Sequence, residues 1–493
     1  MKKFVLTGLF ILALILEGVT LELPALFKDN MVLQRNTQVT IWGNAEPEGK
    51  VSVKGEWGAQ AIAMADQHGS WSVQLQTPSA SGPYSLAIQA GNEKINLENV
   101  LIGEVWLCSG QSNMEMPLKG WPPGDTILNS EKEIRNADYT ELRFFTVERE
   151  VSFKPLNECN GMWEVCKSSI ARDFSATAYF FGRKIHRELE VPVGLIHSSW
   201  GGTPAEAWTR GKFLEKVDGF QSITEKIEKS LPRNNACEEW VEKQKAKDFK
   251  NRPDGPLQLN SHTPTVLYNG MIHPLIPYTI KGSIWYQGEG NTSNPDQYHE
   301  LFSTMIRNWR SDWDIGKFPF YFVQIAPYAY GENTKSQILR EEQLKTLSLP
   351  NTGMAVTMDI GNPQNIHPAN KQDVGKRLAL WALANDYGRD IVCSGPLYDS
   401  MNIKGNKIYI SFRYKNGGLM TKDEQLRHFE IAGPDGKFVE AIARIQGKFV
   451  VVSSPEVEHP RNARYAWGNT VEASLFNKEG LPTSPFNTEN WDK

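Results

Sequence analysis

The chain has 493 residues, which is too long for one ordinary domain, so two to four domains are expected. Hydrophobic residues make up 40% of the sequence and charged residues 22%, which indicates a folded core and excludes a largely disordered chain. The net charge is −4 and no long basic run occurs, which argues against nucleic acid as the main partner.

The N-terminus has the composition of a secretory signal peptide. Lys2 and Lys3 precede an apolar run from Phe4 to Leu16, and small residues follow this run. The run has only 13 residues, which is short for a segment that spans a bilayer. We therefore predict that residues 1–20 are a signal peptide. The mature protein is expected to be exported, either to the periplasm or outside the cell, without stable insertion in a membrane.

The cysteines and histidines do not predict a metal site. The five cysteines are odd in number, so at least one is unpaired. Cys159 and Cys166 are close enough in sequence to bridge a loop, and an exported protein permits a disulfide, but free buried thiols are an equal alternative. Neither the cysteines nor the nine histidines show zinc-ligand spacing, so no metal or other cofactor is predicted.

Residues 21–100 are predicted to form an N-terminal β-sandwich module. Several short segments alternate apolar and polar residues, and Gly, Pro, Asn or Asp lies between them. These segments are 31–34, 38–42, 50–54, 70–75 and 84–88. They bring no cluster of catalytic groups, which indicates a structural or sugar-contacting accessory role.

Residues 101–390 alternate predicted strands with predicted helices, which is typical of a parallel sheet with helices on both sides. Predicted strands cover 105–108, 142–147, 192–199, 280–286, 320–326 and 354–359, and predicted helices begin after Ser175 and cover 295–314 and 370–384. A segment near 211–253 is rich in Lys and Glu and is expected to be an exposed helical insertion. Residues 391–493 return to short strands and predict a second β module.

The segment 103–116 carries the strongest candidate for a nucleophile. An apolar run from Val105 to Cys108 stops at a turn that contains Gly110, and a polar segment follows. Ser112 is therefore expected at the carboxyl end of a strand and near the start of a helix, where free backbone N–H groups suit a reactive serine. A plain polar turn is the alternative for this segment taken alone.

Four polar breaks follow four of the predicted strands, at residues 110–112, 200–202, 287–291 and 359–367. The carboxyl ends of parallel strands lie at one edge of a sheet, so these loops are expected to converge. His367 is then in a position to accept the proton of Ser112, as acyl transfer requires. The rival histidines are His197, which ranks second, and His273 and His299.

The same loops offer candidates to stabilise an oxyanion and to bind a substrate. Backbone N–H groups at Ser112 and Gly202 and the side-chain amides of Gln287 and Asn291 are the predicted oxyanion donors. The neighbouring side chains that we expect to contact the substrate are those of Gln111, Asn113 and Trp200.

Four ordered segments, 103–116, 198–208, 284–291 and 366–378, resemble the sialate O-acetylesterase family of the SGNH/GDSL hydrolase superfamily. The resemblance covers nearly the whole chain. It implies an SGNH-type sheet between helices, flanked by two β modules. It also implies a serine esterase that removes O-acetyl groups from sugars, above all from O-acetylated sialic acid, without a metal. In this comparison Ser112 is the nucleophile and His367 the base.

One position departs from the family pattern. Related proteins usually carry Asp two residues before the catalytic histidine, and Asn365 stands there in this chain. A neutral amide can hold the ring but cannot offset an imidazolium charge, so either another carboxylate orients His367 or the enzyme is slow. Glu289 is the predicted acid that orients His367, and Asp359 is the reserve. An equal alternative for Glu289 is a structural role, in which its carboxylate braces its own loop.

Two alternative functions remain open from the sequence. The substrate can be acetylated xylan or another plant glycan, with unchanged chemistry. The chain can also be a non-catalytic glycan-binding protein whose triad has decayed, and Asn365 is the feature that favours this class.

Overall fold

The computed structural model describes residues 20–222, the positions 224, 225, 227 and 229, and residues 259–490. The predicted signal peptide, except Thr20, lies outside the described residues, and so does most of the predicted charged insertion.

The N-terminal part contains six strands, and burial alternates along β2, β3 and β5, as the sequence pattern predicts. β2 pairs with β5, and β3 pairs with both β4 and β6, all antiparallel. The strands are Val32–Gln34 (β1), Gln38–Asn44 (β2), Lys50–Gly55 (β3), Gln60–Met64 (β4), Ser70–Gln76 (β5) and Ser81–Ala90 (β6).

The seventh strand, Glu93–Gly110 (β7), joins the N-terminal strands to the central sheet. Its first half pairs with β6, and its second half, from Glu104 to Gly110, pairs with the central strand Val193–Ser199 (β10). Every residue of β7 from Val100 onwards is buried. The predicted boundary between residues 100 and 101 therefore falls inside one continuous strand.

The central sheet has seven strands in the order β13-β12-β11-β7-β10-β8-β9. All neighbours are parallel except β8 and β9, which are antiparallel. β10 and β11 are buried at every position, as expected for central strands of a parallel sheet that is covered on both faces. This confirms the predicted α/β class. The remaining strands are Tyr139–Thr146 (β8), Trp163–Cys166 (β9), Gly282–Tyr286 (β11), Phe320–Val323 (β12) and Thr352–Ala355 (β13).

Eight described α-helices accompany the sheet. Ser175 caps one of them by accepting a hydrogen bond from Ala178 N (3.1 Å), and Asn370 caps another through Asp373 N (3.1 Å). The helices are Ser112–Glu115 (α1), Ser130–Arg135 (α2), Ser168–Ala171 (α3), Ala176–Leu189 (α4), Gly211–Leu214 (α5), Tyr298–Trp313 (α6), Ser336–Lys345 (α7) and Lys371–Asn385 (α8). In the described parts of the chain, none of the helices has the length and apolar character needed to cross a membrane.

Short turns of other helix types connect these elements. The 3-10 turns are Ala205–Trp208, His273–Leu275, Glu289–Asn291, Pro295–Gln297, Thr346–Ser348 and Thr488–Asn490, and Tyr268–Ile272 is a π-helical turn.

The C-terminal part forms separate small antiparallel sheets, as predicted. β14, β15, β20 and β19 form one sheet, β18, β17, β21 and β23 a second, and β16 pairs with β22. Gln324 Nε2, which follows β12, donates to Ser484 Oγ (2.8 Å) and so ties this part to the central sheet. The strands are Leu397–Lys404 (β14), Lys407–Arg413 (β15), Leu419–Thr421 (β16), Phe429–Ala432 (β17), Phe438–Glu440 (β18), Ile442–Gln446 (β19), Phe449–Ser453 (β20), Asn462–Tyr465 (β21), Leu475–Asn477 (β22) and Phe486–Asn487 (β23).

The four described cysteines are buried free thiols, so Cys159 and Cys166 are not joined. Burial raises the pKa of each of these two thiols to about 12, which leaves them unreactive.

The turn after β7 depends on a glycine. Gly110 has φ of +142°, and a Cβ there would lie 2.2 Å from the carbonyl oxygen of Tyr286 on β11. An L-residue side chain would thus be strained by the backbone conformation and would also collide with the neighbouring strand. The close approach is needed because Gln111 N donates to the same carbonyl oxygen (2.9 Å).

We predict that Gly110→Ala lowers the free energy of unfolding by about 2–6 kcal/mol, from backbone strain and overpacking together. Gly331→Ala is the matched control, because a Cβ there has no heavy atom within 4 Å. The control is expected to stay within about 1 kcal/mol of the wild type. Denaturant unfolding followed by fluorescence measures both. Equal stability of the two variants would contradict the prediction.

Candidate active site

Three central strands end together at one edge of the sheet. In the register of the sheet, Gly110 at the end of β7 pairs with Ser199 on one side and Tyr286 on the other. The loops that follow therefore leave the sheet side by side, which agrees with the predicted convergence.

Ser112 opens α1 immediately after this edge and is partly buried. Among the residues that the structure describes, neither its Oγ nor its backbone N–H has a hydrogen-bond partner. A free hydroxyl and a free N–H on one residue are what a nucleophile at a helix start requires.

His367 is held by a carboxylate that the sequence did not single out. Its Nδ1 lies 2.9 Å from Asp125 Oδ2. Asn365 bridges the two, since its Nδ2 donates to Asp125 Oδ1 (2.6 Å) and its Oδ1 accepts from His367 N (2.8 Å). A carboxylate only accepts, so Nδ1 carries the proton and Nε2 of the neutral ring is left to accept one.

The carboxylate beside His367 is thus not Glu289, as predicted, nor the reserve Asp359. Glu289 Oε1 accepts from Asn113 Nδ2 (2.7 Å), so Glu289 braces its loop. Asp359 accepts two hydrogen bonds from Arg377, both 2.7 Å long. Asp125 was missed because it lies in an irregular loop after α1, where neither periodicity nor a strand end marks it.

The Ser112 and His367 segments are joined by a direct hydrogen bond. Asn113 Nδ2, on the residue after Ser112, donates to the carbonyl oxygen of Ile366 (3.1 Å), the residue before His367. The two segments therefore meet, as the sequence predicted.

The net effect of the surroundings lowers the pKa of His367 below its usual 6.5. Burial is the largest cause, and the hydrogen bond and charge of Asp125 oppose it. The Trp121 ring packs edge-to-face against the His367 ring, with the two ring centroids 5.1 Å apart, and contributes to this burial. The ring is therefore neutral at pH 7 and able to act as a base.

Gly202 provides the second free backbone N–H at this edge. It has φ of +76°, and its N–H has no partner in the described ranges of the chain. By contrast, Gly201 N donates to Glu115 Oε2 (2.5 Å). A Cβ at Gly201 would lie 3.4 Å from Ser112 Cβ, so this loop runs directly beside the serine.

The side-chain amides predicted as oxyanion donors have other partners. Gln287 Nε2 donates to Thr203 O (3.1 Å) and to Asn291 Oδ1 (2.7 Å). Asn291 Nδ2 donates to Glu206 Oε2 (2.8 Å). Buried amides must be hydrogen-bonded, and these two satisfy each other and the adjacent loop. Both amide hydrogens of Gln287 and one of Asn291 are thus used to brace the site.

Two of the three predicted substrate-binding residues are almost completely buried. Gln111 Oε1 accepts from Gly290 N (3.0 Å), and Asn113 contacts Glu289 and Ile366 as described. Both connect loops of the site. Trp200 is partly exposed, and the Arg149 guanidinium lies over its ring at 5.2 Å.

A groove of about 420 Å³ lies next to this site, with Glu115 and Trp121 in its lining. The groove contains two ion pairs, Arg149–Glu115 and Lys119–Asp173. Its remaining charged side chain, Glu148, has no ion-pair partner in the described part of the chain. No pattern in the sequence predicts this groove, which one tryptophan, Trp121, lines.

The rival histidines have structural partners. His197 Nε2 lies 2.6 Å from Ser199 Oγ, and burial lowers the pKa of His197 to about 4. The Nδ1 of His273 lies 2.8 Å from Leu156 O, and that of His299 lies 3.2 Å from Thr346 Oγ1. In the residues covered by the structure, no group of three or more His, Cys, Asp or Glu side chains is arranged to hold a metal ion.

Comparison with known proteins gives consistent matches. Residues 258–384 match the family model of a carbohydrate esterase described as a sialic acid-specific acetylesterase. The sialate O-acetylesterase of Homo sapiens is 31% identical, with 84% of this chain and 80% of that protein covered. The enzyme of Rattus norvegicus is also 31% identical, with 84% and 82% covered.

A solved structure shares the fold over nearly the whole chain. The carbohydrate acetylesterase from Xanthomonas citri has a TM-score of 0.83 and 35% sequence identity, and the match covers 96% of this chain and all of that one. The free Ser112 hydroxyl and the His367–Asp125 pair are compatible with the activity named for these proteins. Because relatives above 30% identity span more than four fifths of the chain, it is a carbohydrate esterase that belongs to the sialate O-acetylesterase family.

Proposed function

We propose that this carbohydrate esterase works through an acetyl-enzyme on Ser112, with His367 as base and Asp125 as the acid that orients the base. The observation that carries the proposal is the contact between His367 Nδ1 and Asp125 at the sheet edge where Ser112 has a free Oγ. This arrangement has the three roles of a serine hydrolase, although the acid comes from an unexpected part of the chain.

In the first step, His367 Nε2 accepts the proton of Ser112 Oγ while Oγ attacks the acetyl carbonyl carbon. The negative charge that develops on the carbonyl oxygen is stabilised by the backbone N–H groups of Ser112 and Gly202. His367 then returns the proton to the sugar oxygen, and the C–O bond to the sugar breaks. The deacetylated sugar leaves and the acetyl group stays on Ser112.

In the second step, water attacks the acetyl-enzyme. His367 accepts a proton from the water and returns it to Ser112 Oγ as acetate leaves. Asp125 stabilises the imidazolium that exists in both steps. Asn365 is a positioning residue in this scheme, because its amide holds the Asp125 carboxylate and the His367 backbone at the same time.

We propose O-acetylated sialic acid as the substrate, because the curated relatives carry that activity in their names. Neutral acetylated glycans such as xylan are the second candidate, and the charges of the groove favour them. Both cations of the groove are ion-paired while Glu148 is unpaired in the described structure, so the groove offers little net attraction to a carboxylate. The Asp125 contact weakens the case for a decayed triad, since Asn365 alone suggested it.

We further propose that the protein is exported, on the evidence of residues 1–20. The proposed division of the mature chain is a β module at 21–100, the esterase part at 101–390 and a second β module at 391–493.

We predict that Ser112→Ala reduces turnover of an aryl acetate by about 10⁶-fold, the loss seen when a serine nucleophile is removed. Ser109→Ala is the matched control, because the Ser109 Oγ is buried and bonds to nothing in the described structure. A fluorophosphonate probe should label the wild type and the control on Ser112, as peptide mass spectrometry can verify. Substantial turnover by Ser112→Ala would disprove the covalent mechanism.

We predict that Asp125→Asn lowers kcat by up to about 10⁴-fold, as the same change does in the Ser-His-Asp template. Activity requires neutral His367, so kcat/KM falls as pH decreases through the pKa of this residue, which lies below 6.5. Asp125 raises this pKa, so its loss should move the acid limb, the fall of kcat/KM at low pH, to still lower pH.

The control for this experiment is Asp359→Asn, which removes the carboxylate that the sequence offered as second choice for the acid orienting His367. Its acid limb is expected to coincide with that of the wild type. If the Asp359 variant shifts the limb and the Asp125 variant does not, the assignment of the orienting acid is refuted.

We predict faster acetate release from O-acetylated sialic acid than from acetylxylan, measured as kcat/KM with enzyme-coupled acetate detection. Glu148→Gln should raise the value for sialate by a few-fold at low salt, because it removes a repulsive charge from the groove, and should leave xylan unaffected. A preference for xylan would establish the second candidate.

A further inference from the structure

The residue after the nucleophile contacts three segments with one buried side chain. Asn113 is fully buried, and its Nδ2 donates to Glu289 Oε1 (2.7 Å) and Ile366 O (3.1 Å). Its Oδ1 accepts a hydrogen bond from Lys371 Nζ, in the first turn of α8. The backbone carbonyl of Ile366 can only accept, so the amide nitrogen must face it and the orientation of the side chain is fixed.

This side chain therefore sets the distance between the nucleophile and the base. Asn113 is covalently attached to Ser112, and Ile366 to His367. The other bonds of the His367 segment, from Asn365 to Asp125 and to the His367 backbone, fix the ring against its acid but not against Ser112. Among the described contacts, Asn113 provides the direct side-chain link between the two halves of the catalytic machinery.

The groups that hold Asn113 are costly to bury. Lys371 has no exposed surface, and burial lowers its pKa to about 7. Glu289 is also buried, which raises its pKa, and its Oε2 has no hydrogen-bond partner in the described structure. Replacing such groups by apolar ones is often neutral or stabilising, so their presence is not explained by stability.

We propose that Asn113, held between Lys371 and Glu289, is a positioning residue that aligns Ser112 with His367. The proposal rests on the catalytic roles proposed for these two residues. It replaces the predicted role of Asn113 in substrate binding, since a fully buried side chain whose two amide hydrogens are both donated within the protein does not contact a sugar.

The test compares Asn113→Leu with Thr177→Val. Leucine has the same number and branching of side-chain heavy atoms as asparagine, and it removes all three side-chain hydrogen bonds of Asn113. Thr177→Val removes a bond of the same neighbourhood, from Thr177 Oγ1 to the backbone oxygen of Asn113 (3.0 Å), and leaves the Asn113 side chain intact. Both variants lose buried hydrogen bonds, but only the first releases the link to Ile366.

We expect Asn113→Leu to lower kcat by about 100-fold, the cost of misplacing a reacting group by about 1 Å. The rate of inactivation by a fluorophosphonate should fall in parallel, because that reaction needs the Ser112–His367 alignment but no sugar. KM should stay near the wild-type value, and Thr177→Val should keep the wild-type kcat and inactivation rate.

A folded Asn113→Leu variant with near wild-type kcat would overturn the proposal, and so would an increase confined to KM. If this variant does not fold, Lys371→Met and Glu289→Gln decide in its place. A lower kcat and slower inactivation at unchanged KM in both would support the proposal, and wild-type values would overturn it. Ser112→Ala tests the proposed function independently, because its failure to abolish turnover would refute the mechanism whatever the Asn113 variants do.

Discussion

The parallel pairing of β7 with β10 and β11 is the constraint on which the rest of the site depends. It aligns the last residues of three strands, Gly110, Ser199 and Tyr286, so that the three loops that follow begin side by side at one edge of the sheet. Gly110 permits β7 to lie close to the backbone of β11 at Tyr286, and the turn it makes places Ser112 at the start of a helix. The chemistry then needs only short loops, because the sheet has already brought their origins together.

A second consequence of this arrangement is that side chains near the nucleophile are used to connect loops. Gln111, Asn113, Gln287 and Asn291 are polar and close to Ser112 in the fold, yet their hydrogen bonds go to neighbouring loops. Because these amides are buried, an unpaired group would cost about 1–3 kcal/mol each. The backbone N–H groups of Ser112 and Gly202, by contrast, have no hydrogen-bond partner within the described residues.

The sequence was sufficient to predict the sheet and the approach of the Ser112 segment to the His367 segment, because both follow from strand patterns and from the edge rule for parallel sheets. It was insufficient for the orienting acid. Asp125 follows Pro123 and Gly124 in an irregular loop, where no periodicity links residue to position, and its partner is 242 residues away. The roles of Gln287 and Asn291 were likewise beyond sequence reasoning, since the direction of an amide depends on which partners surround it in three dimensions.

The continuous course of β7 has a consequence for how the chain responds to stress. One strand supplies hydrogen bonds to the N-terminal strands through its first half and forms the middle of the central sheet with its second. The two parts share this strand without a separate linker, so their relative orientation is constrained by the backbone of β7. Such a shared element is expected to make both parts unfold in one cooperative transition.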